Sequence, residues 1–312
     1  MKLVVPDCYL DFACLADRCR HTCCAGWEID IDPASLALYQ SLPGPIGERL
    51  RGSIDVTEEG ACFRLTARER CPMLNDSGLC DLITACGDGA LCQICADHPR
   101  FRSFFTDRTE VGLGLCCEAA GMLLLSRREP LRLTVLEDDG GEERPTPEEE
   151  ALLALRDALF AAAQDRTRPV TARLTSLCAL GGLPAPAFDR KRVAAVLLGL
   201  ERLDEGWTAL LEQLRDAQEV PPLTPDWEVP LEQLLVCLLY RHLPGALDDG
   251  LVRERIALCL TLWQTVRCLL ALRCPDAPAE LPALVELARM MSSEIEYDEE
   301  NIDALLAFLR II

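Results

Sequence analysis

Thiols are the side chains of this chain whose number and spacing most clearly indicate chemistry. The chain has 312 residues and 18 cysteines, and 13 of the cysteines lie at or before Cys117. Ten of these 13 fall into four groups, which are Cys14, Cys19, Cys23 and Cys24; Cys71 and Cys80; Cys92 and Cys95; and Cys116 and Cys117. Thiolates on separate turns can approach one metal ion from several directions after folding. The groups therefore predict a metal site in the first part of the chain.

The spacing leaves the identity of the metal open. A structural zinc site takes four ligands, often from two Cys-x2-Cys pairs, and only Cys92 and Cys95 form such a pair here. An iron-sulfur cluster also takes four thiolates and accepts more varied spacing. A disulfide scaffold is disfavoured, because the adjacent pairs Cys23-Cys24 and Cys116-Cys117 seldom bridge to each other without strain.

Composition and charge exclude several classes of partner. The formal net charge is -20, which disfavours a phosphate backbone, so we expect no nucleic-acid partner. The start, MKLVVPDCYLDF, is too short and too lightly basic an apolar run for a secretory signal, and it predicts a cytoplasmic protein. The most apolar stretch, residues 255–274, is interrupted by Arg267 before it reaches the roughly 20 residues that span a bilayer. We interpret it as a buried helix and expect no membrane partner.

The chain divides into two parts of different character. Residues 1–136 hold the cysteine groups and many turn signals, and predict a loop-rich, cysteine-rich metal or iron-sulfur domain with short helices. Within it, RSFFTDRTEVGLGL predicts a hairpin with TDR at its tip, and PLRLTVLE (130–137) alternates as a strand does. The acidic stretch EDDGGEERPTPEEE (137–150) separates this domain from an all-helical domain, residues 146–312. The fold class is therefore mainly α.

The helical domain begins with a capping signature and continues as apolar residues at three- and four-residue steps. Thr146 is predicted to cap the first helix, Pro147 to occupy its first position and Glu149 to complete a capping box. Further helices are predicted at about 188–204, 207–219, 230–242, 250–273, 279–292 and 299–310. The five cysteines of this domain are interpreted as packing residues, and they are Cys178, Cys237, Cys259, Cys268 and Cys274.

The cysteine motifs also carry a resemblance to a known family. In chain order they are Cys14-x4-Cys19-x3-Cys23-Cys24-Ala-Gly-Trp27 followed by IDID, Cys71-Pro-x-Leu, Leu79-Cys80-Asp-Leu, Leu91-Cys92-x2-Cys95 with His-Pro-Arg at 98–100, and Cys116-x-Glu118-Ala-Ala. This ordered set, over roughly residues 1–125, resembles the flagellin lysine-N-methylase family, which is grouped with proteins bearing a cysteine-rich zinc- or iron-chelating domain.

The resemblance implies a bacterial protein-lysine N-methyltransferase that transfers methyl groups from S-adenosylmethionine to flagellin or another lysine-bearing protein. It implies an iron-sulfur cluster, of the 4Fe-4S type, bound by the cysteine-rich part, with zinc as the alternative. The metal ligands it implies are Cys14, Cys19, Cys23, Cys24, Cys71, Cys80, Cys92, Cys95 and Cys116. Nine thiols exceed the need of one four-ligand cluster, so some of them pack or a second metal lies nearby. Cys8, Cys62, Cys86 and Cys117 fall outside the family pattern.

The chain departs from ordinary methyltransferases in lacking their cofactor fingerprint. VGLGLCC contains Gly112 and Gly114, but it lacks the third spaced glycine and long helix start of a dinucleotide-type loop. The residues that bind S-adenosylmethionine therefore stay unassigned, and we expect the methyl donor near the cluster.

A lysine amine must lose a proton before it attacks a methyl group, which calls for a nearby base. Glu118 and Asp97, beside the cysteine motifs, are the catalytic candidates, and His98 is a third possibility. For each of them the alternative to catalysis is a structural role, either in an ion pair or in orienting a loop. Trp27 and Tyr39 are candidates to flank a cationic substrate. The alternative for both is that they only pack in the core.

A second reading of the same residues is not catalytic. In it, zinc or a cluster only stabilises the loop-rich domain, and the helical domain binds a protein partner. Colour separates the two readings, because a cluster absorbs visible light and zinc does not.

Overall fold

The structure is a computed structural model, and it describes residues 1–58, 60–186, 188–274 and 280–310. The chain forms two compact units, one of Ala13–Arg100 and the other of Met1–Phe12 with Phe101–Ile312. These units group residues 101–136 with the helices, whereas the division expected from the sequence assigned them to the cysteine-rich part.

Helices make up most of the secondary structure, as the predicted mainly α class requires. In chain order they are α1 (Pro33–Ser41), α2 (Gly44–Gly52), α3 (Asp81–Cys86), α4 (Gln93–Asp97), α5 (Glu118–Leu125), α6 (Pro147–Ala163), α7 (Val170–Leu180), α8 (Arg190–Leu197), α9 (Glu205–Asp216), α10 (Glu228–His242), α11 (Ala246–Asp249), α12 (Val252–Arg273), α13 (Leu281–Met291) and α14 (Glu299–Leu309). A π-helical turn, Ser292–Glu296, follows α13.

Two small sheets accompany the helices. Their strands are β1 (Lys2–Pro6), β2 (Asp30–Ile31), β3 (Ile54–Val56), β4 (Ala61–Phe63), β5 (Arg100–Phe104), β6 (Arg108–Leu113) and β7 (Leu133–Asp138). The larger sheet has the order β5-β6-β1-β7, and the smaller has the order β2-β4-β3. Strand β1 pairs in parallel with β6 and antiparallel with β7.

The predicted hairpin and strand are both present, although the turn of the hairpin lies one residue earlier than the predicted TDR tip. Strands β5 and β6 are neighbours joined by a tight turn at residues 105–107, where the amide of Phe105 donates to the carbonyl of Arg108 at 2.9 Å. Strand β7 covers most of the PLRLTVLE stretch.

The helix predictions are confirmed in kind and differ in extent. The capping box is present, because Thr146 accepts from the amide of Glu149 at 3.2 Å and Glu149 accepts from the amide of Thr146 at 2.7 Å. Helix α7 was not predicted, and α8 ends at Leu197, seven residues before the predicted end at about 204. The predicted helix at about 279–292 starts at a residue outside the described ones, and α13 begins at Leu281.

The larger unit is held by one apolar core, in which α10 and α12 are the most deeply buried helices. Helix α12 is long and apolar enough to cross a membrane by length and composition alone. Its Ile256, Leu262, Val266 and Leu270 are fully buried, however, which confirms the interpretation of this stretch as a buried helix. Cys178, Cys237, Cys259 and Cys268 are also buried in this unit, as the packing interpretation requires, and Cys274 is half-buried.

The smaller unit is built around a second, separate core. Ile29, Tyr39, Leu50, Phe63 and Leu82 are its main apolar members, contributed by α1, α2, α3 and the short sheet. Cys71 and Cys92 are buried in the same core, and Cys24, Cys80 and Cys95 pack against it. The thiols of this unit are therefore part of its interior.

Candidate metal centre

Five thiols from three sequence groups of the smaller unit influence one another's ionisation. Charge interactions join Cys24 to Cys71, Cys80 and Cys95, and they also join Cys71 to Cys80 and to Cys95. Cys92 and Cys95 are hydrogen-bonded to each other. We call Cys24, Cys71, Cys80, Cys92 and Cys95 the thiol cluster.

Backbone contacts bring these distant segments side by side. The amide of Cys71 donates to the carbonyl of Cys24 at 2.7 Å, and Ala25 forms a β-bridge with Arg70. A second bridge, between Leu74 and Cys80, folds the 71–80 segment back on itself. The first cysteine group is thereby held against the second by main-chain hydrogen bonds.

Helix ends position the other members of the thiol cluster. Cys80 and Cys92 stand immediately before the first residues of α3 and α4, where backbone amides without helical partners favour negative charge. At Cys92 the helix start acts in the same direction as the hydrogen bonds that lower the pKa, whereas at Cys80 burial outweighs the helix start and raises the pKa.

Two members of the thiol cluster ionise easily. A hydrogen bond from the Cys23 thiol lowers the pKa of Cys24 to about 7. A hydrogen bond from the Cys95 thiol likewise lowers the pKa of Cys92 to about 7. At neutral pH these two sulfurs have substantial thiolate character, which is the form that binds metals.

The other three members hold their protons. Burial raises the pKa of Cys71 to about 11, and burial also raises the pKa of Cys80. The pKa of Cys95 is raised first by its hydrogen bond to Cys92, then by burial and by the charges of neighbouring thiolates. A bound cation would oppose both burial and like-charge repulsion, and it would therefore favour the loss of these protons.

Asp32 and Tyr39 support the Cys92–Cys95 segment, and the sequence interpretation gave neither this task. Asp32 caps α1 by accepting from the amide of Ser35 at 3.0 Å, and its other oxygen accepts from the amide of Gln93, in the first turn of α4, at 2.9 Å. Tyr39 donates to the carbonyl of Ala90 at 2.8 Å and is hydrogen-bonded to Cys92. The Asp32-Pro33 pair predicts a helix start from the sequence alone. The contact between Asp32 and Gln93, in contrast, depends on the tertiary fold.

The two aromatic candidates have different surroundings. Tyr39 is fully buried, so it is a core residue and cannot flank an incoming substrate. Trp27 is half-buried, donates to the carbonyl of Cys23 at 2.7 Å and stacks on His98 with ring centroids 6.2 Å apart. Burial lowers the pKa of His98, and its Nε2 has no hydrogen-bond partner in the described part of the chain.

Three further predicted ligands belong to the first cysteine group, and they are Cys14, Cys19 and Cys23. The exposed Cys14 accepts from the amide of Ala16 at 3.4 Å, and the Cys19 thiol donates to the carbonyl of His21 at 2.9 Å. Cys23 is exposed and adjoins the thiol cluster through its bond to Cys24.

Cys116 belongs to the larger unit and has its own surroundings. Burial raises its pKa to about 12, against the opposing effects of a hydrogen bond with Tyr297 and the charge of Arg241. The Arg241 guanidinium lies 4.9 Å from the ring centroid of Phe101 and 4.6 Å from that of Tyr297.

The two catalytic candidates also differ in environment. Asp97 is the last residue of α4 and accepts from the side-chain amide of Gln93 at 2.7 Å. Glu118 is buried in the first turn of α5. Each lies close in sequence to a cysteine motif, and each belongs to a different unit.

The donor set suits a thiophilic metal, although its atoms do not form a finished coordination sphere. Among the described residues, no three Cys, His, Asp or Glu side chains meet closely enough to hold an ion as they stand. The thiol cluster nevertheless offers five sulfurs, two of them readily ionised, and zinc or an iron-sulfur cluster needs four. In kind and number the residues fit the predicted group.

Comparisons with known proteins point to the same family as the motifs. No protein-family model matches the chain. No solved structure matches it. Lysine-N-methylase of Salmonella choleraesuis is 26% identical over 253 residues, covering 77% of this chain and 61% of the relative. Lysine-N-methylase of Salmonella typhimurium is 26% identical over 247 residues, covering 75% of this chain and 60% of the relative.

A third relative is shorter. The Flagellar biosynthetic protein FliU of Salmonella muenchen is 24% identical over 134 residues, covering 41% of this chain and 79% of its own length. The chain spans about three fifths of the length of the two lysine-N-methylases it matches. The resemblance of this chain to the flagellin lysine-N-methylase family is thus confirmed along about three quarters of its sequence.

Proposed function

We propose that this protein is a protein-lysine N-methyltransferase that uses S-adenosylmethionine and carries a cysteine-bound iron-sulfur cluster of the 4Fe-4S type. The observation that carries the proposal is the similarity to two proteins named lysine-N-methylase over about three quarters of the chain. The thiol cluster supports the metal part of the proposal, because its sulfurs come from separate loops and include two with a pKa near 7.

The proposed substrate is flagellin or another protein with exposed lysines. One relative is named as a flagellar biosynthetic protein, and the net charge of -20 favours a substrate surface rich in cations. We propose that the protein acts in the cytoplasm, where a flagellar subunit would be available before export.

The chain's own residues would have two tasks in this reaction. Cys24, Cys71, Cys80, Cys92 and Cys95 are the proposed pool of metal ligands, with Cys14, Cys19, Cys23 and Cys116 as the further ligands implied by the family. A bound cluster in which one iron has no cysteine ligand would offer the amino and carboxylate groups of S-adenosylmethionine a place to coordinate. Asp97 and Glu118 are the proposed bases that hold the proton released by the lysine amine, since only the neutral amine is a nucleophile.

The first experiment measures metal and activity on one anaerobically purified sample. We expect about four iron and four sulfide per chain with broad visible absorption, as for iron-sulfur proteins of this type. We also expect transfer of labelled methyl from S-adenosylmethionine to flagellin. Flagellin whose lysines have been chemically dimethylated is the matched control, and equal labelling of that control would contradict methylation of lysine.

Variants of the proposed bases test their role separately from the metal. Asp97→Asn and Glu118→Gln keep the shape of each side chain and remove its basicity. We expect a base variant to keep its iron content and to lower the methylation rate about 100-fold or more. Full activity in both variants would exclude these carboxylates as bases.

A non-catalytic metal module is the second candidate. The burial of Cys71 and Cys92 within the apolar core of the smaller unit favours it, because structural zinc sites commonly stabilise small domains. Stoichiometric zinc in a colourless protein without methyl transfer would support this alternative and contradict the enzyme.

A further inference from the structure

A cavity in the larger unit is far in sequence from every predicted metal ligand. It has a volume of about 160 Å³ and lies among α6, α7, α10, α12 and the turn before α10. Its apolar wall includes Leu174, Leu177, Leu231, Leu235 and Trp263. A cavity of about 150 Å³ with such a lining can hold one benzene-sized molecule.

Three residues of the cavity wall carry polar atoms that have no hydrogen-bond partner. They are Nε of Arg173, Oγ1 of Thr224 and Nε1 of Trp227, all of them buried and unpaired in the described part of the chain. The Arg173 side chain is 5% exposed and Trp227 is 1% exposed. Buried donors are normally satisfied, so three unpaired donor-bearing groups around one cavity favour a ligand with acceptor atoms.

The contrast between two tryptophans of this wall supports the same conclusion. The indole of Trp263 donates to the carbonyl of Leu231 at 2.7 Å and is satisfied within the protein. The indole of Trp227, which also lines the cavity, has no such partner in the described chain. The indole N–H of Trp227 is therefore a buried donor that the described protein leaves unsatisfied.

The charged side chains at and next to the cavity include three arginines and two glutamates, so one arginine has no glutamate partner among the described residues. Glu232 is paired with Arg166 at 2.8 Å and with Arg173 at 2.9 Å, and Arg173 also reaches Glu228 at 3.3 Å. These two arginines and two glutamates balance each other. Arg267 also lines the cavity, and it forms no ion pair with any described residue.

We propose that this cavity binds a small monocarboxylate whose apolar body is about the size of a benzene ring. The apolar walls take the body, and the unpaired donors with Arg267 take the carboxylate. A neutral ligand would make no use of the charge of the half-buried Arg267, and an inorganic anion would leave the apolar walls in contact with water. The proposal does not depend on methyl transfer, because its readout is binding alone.

Titration calorimetry on the full chain, as purified, tests the ligand class. The probes are benzoate, its neutral isostere benzamide, and acetate, which lacks the apolar body. We expect benzoate to bind at least about tenfold more tightly than either of the others, the effect of losing one charged or apolar contact. Equal affinity for benzoate and benzamide would overturn the proposed carboxylate, and equal affinity for acetate would overturn the apolar body.

Matched variants test the location. Arg267→Gln removes the unpaired cation, and we expect benzoate affinity to fall about tenfold or more. Arg253→Gln is the control, because Arg253 also lies on α12 but lines a different cavity, and its affinity should equal that of the parent protein. Equal loss in both variants, or no loss in Arg267→Gln, would overturn the assignment.

Trp227→Phe gives an independent readout. It removes the indole N–H and keeps an aromatic ring, so we expect weaker benzoate binding with an unchanged circular dichroism spectrum. If this variant fails to fold, slower hydrogen exchange at residues 224–228 of the parent protein on addition of benzoate takes its place as the localising measurement. Unchanged exchange there would contradict the proposal.

Discussion

Cys24 shows how one residue can link groups that the sequence presents as separate. Its sulfur interacts with Cys71, Cys80 and Cys95, and its main-chain carbonyl accepts the hydrogen bond from the amide of Cys71. The loss of Cys24 should therefore affect all three sequence groups of the thiol cluster.

We predict that Cys24→Ala lowers the metal bound per chain by more than half. The physical reason is that removing a ligand leaves the remaining thiols with more repulsion and less coordination. Metal analysis of the purified variant gives the answer. Cys62→Ala is the control, because Cys62 lies on β4 and its pKa is raised first by a hydrogen bond with Glu28, then by burial and by nearby carboxylates rather than by thiols. Equal metal loss in both variants would show that the thiol cluster is not the binding site.

At the scale of elements, a buried ion pair joins the larger sheet to the first long helix. Arg156 of α6 donates to both carboxylate oxygens of Glu110 on β6, one of them at 3.1 Å, and both side chains are almost fully buried. The guanidinium also lies 5.7 Å from the ring centroid of Tyr240 on α10. Three elements therefore meet at one arginine.

We predict that Glu110→Gln lowers the free energy of unfolding by about 3 kcal/mol or more, because it leaves a buried guanidinium without its counter-charge. Urea denaturation measures the change. The double variant Glu110→Leu with Arg156→Met should recover part of the loss, since no buried charge is left. Arg215→Gln, at the exposed pair with Asp216, should leave stability within experimental error, and a loss as large as that of Glu110→Gln would contradict the role of burial.

The start of α6 gives a pH-dependent prediction. Burial acts to raise the pKa of Glu149, but hydrogen bonds from the amides of Thr146 and Thr106 outweigh it, so the pKa lies below its ordinary value. A carboxyl with a depressed folded-state pKa stabilises the protein above the unfolded pKa of about 4.3 and loses that effect as the pH falls through the folded value.

We therefore predict that Glu149→Gln costs about 1 kcal/mol of stability at pH 7. The difference from the parent protein should shrink as the pH falls below about 4. Denaturant titrations at several pH values measure it. Glu150→Gln, at the next and exposed position, controls for the loss of a charge near the helix start. A difference for Glu149→Gln that stays constant down to pH 2 would contradict the assignment.

At the scale of the whole molecule, the two compact units have cores of different kinds. The larger unit is packed by leucines and other apolar side chains from many helices. The smaller unit has fewer apolar residues in its core, and thiols make up part of it. Small domains with thin cores commonly depend on metals for stability.

We predict that anaerobic removal of metal by a chelator speeds hydrogen exchange at residues 13–100 and leaves the amides of α10 and α12 protected. Mass spectrometry of exchanged peptides measures both regions in one experiment. Re-addition of the metal should restore protection. Unchanged exchange at residues 13–100, after metal analysis has confirmed removal, would show that this unit does not need a metal to stay folded.

The sequence by itself determined what depends on neighbours along the chain. Helix α6 with its capping box, the hairpin of β5 and β6, and the burial of α12 follow from local capping, alternation and apolar periodicity. The cysteine groups and the family resemblance could also be recognised from the sequence, because both depend on residue types and on their spacing along the chain.

Only the tertiary structure decided what depends on contacts between distant segments. β1 joins β6 and β7 across more than a hundred residues, which groups residues 101–136 with the helices. Which thiols meet, how Asp32 reaches α4, and the cavity beside Trp227 are likewise set by packing. Such contacts produce no periodic pattern in the sequence. Each partner is selected by the residues that pack around it in the folded protein, and not by its neighbours along the chain.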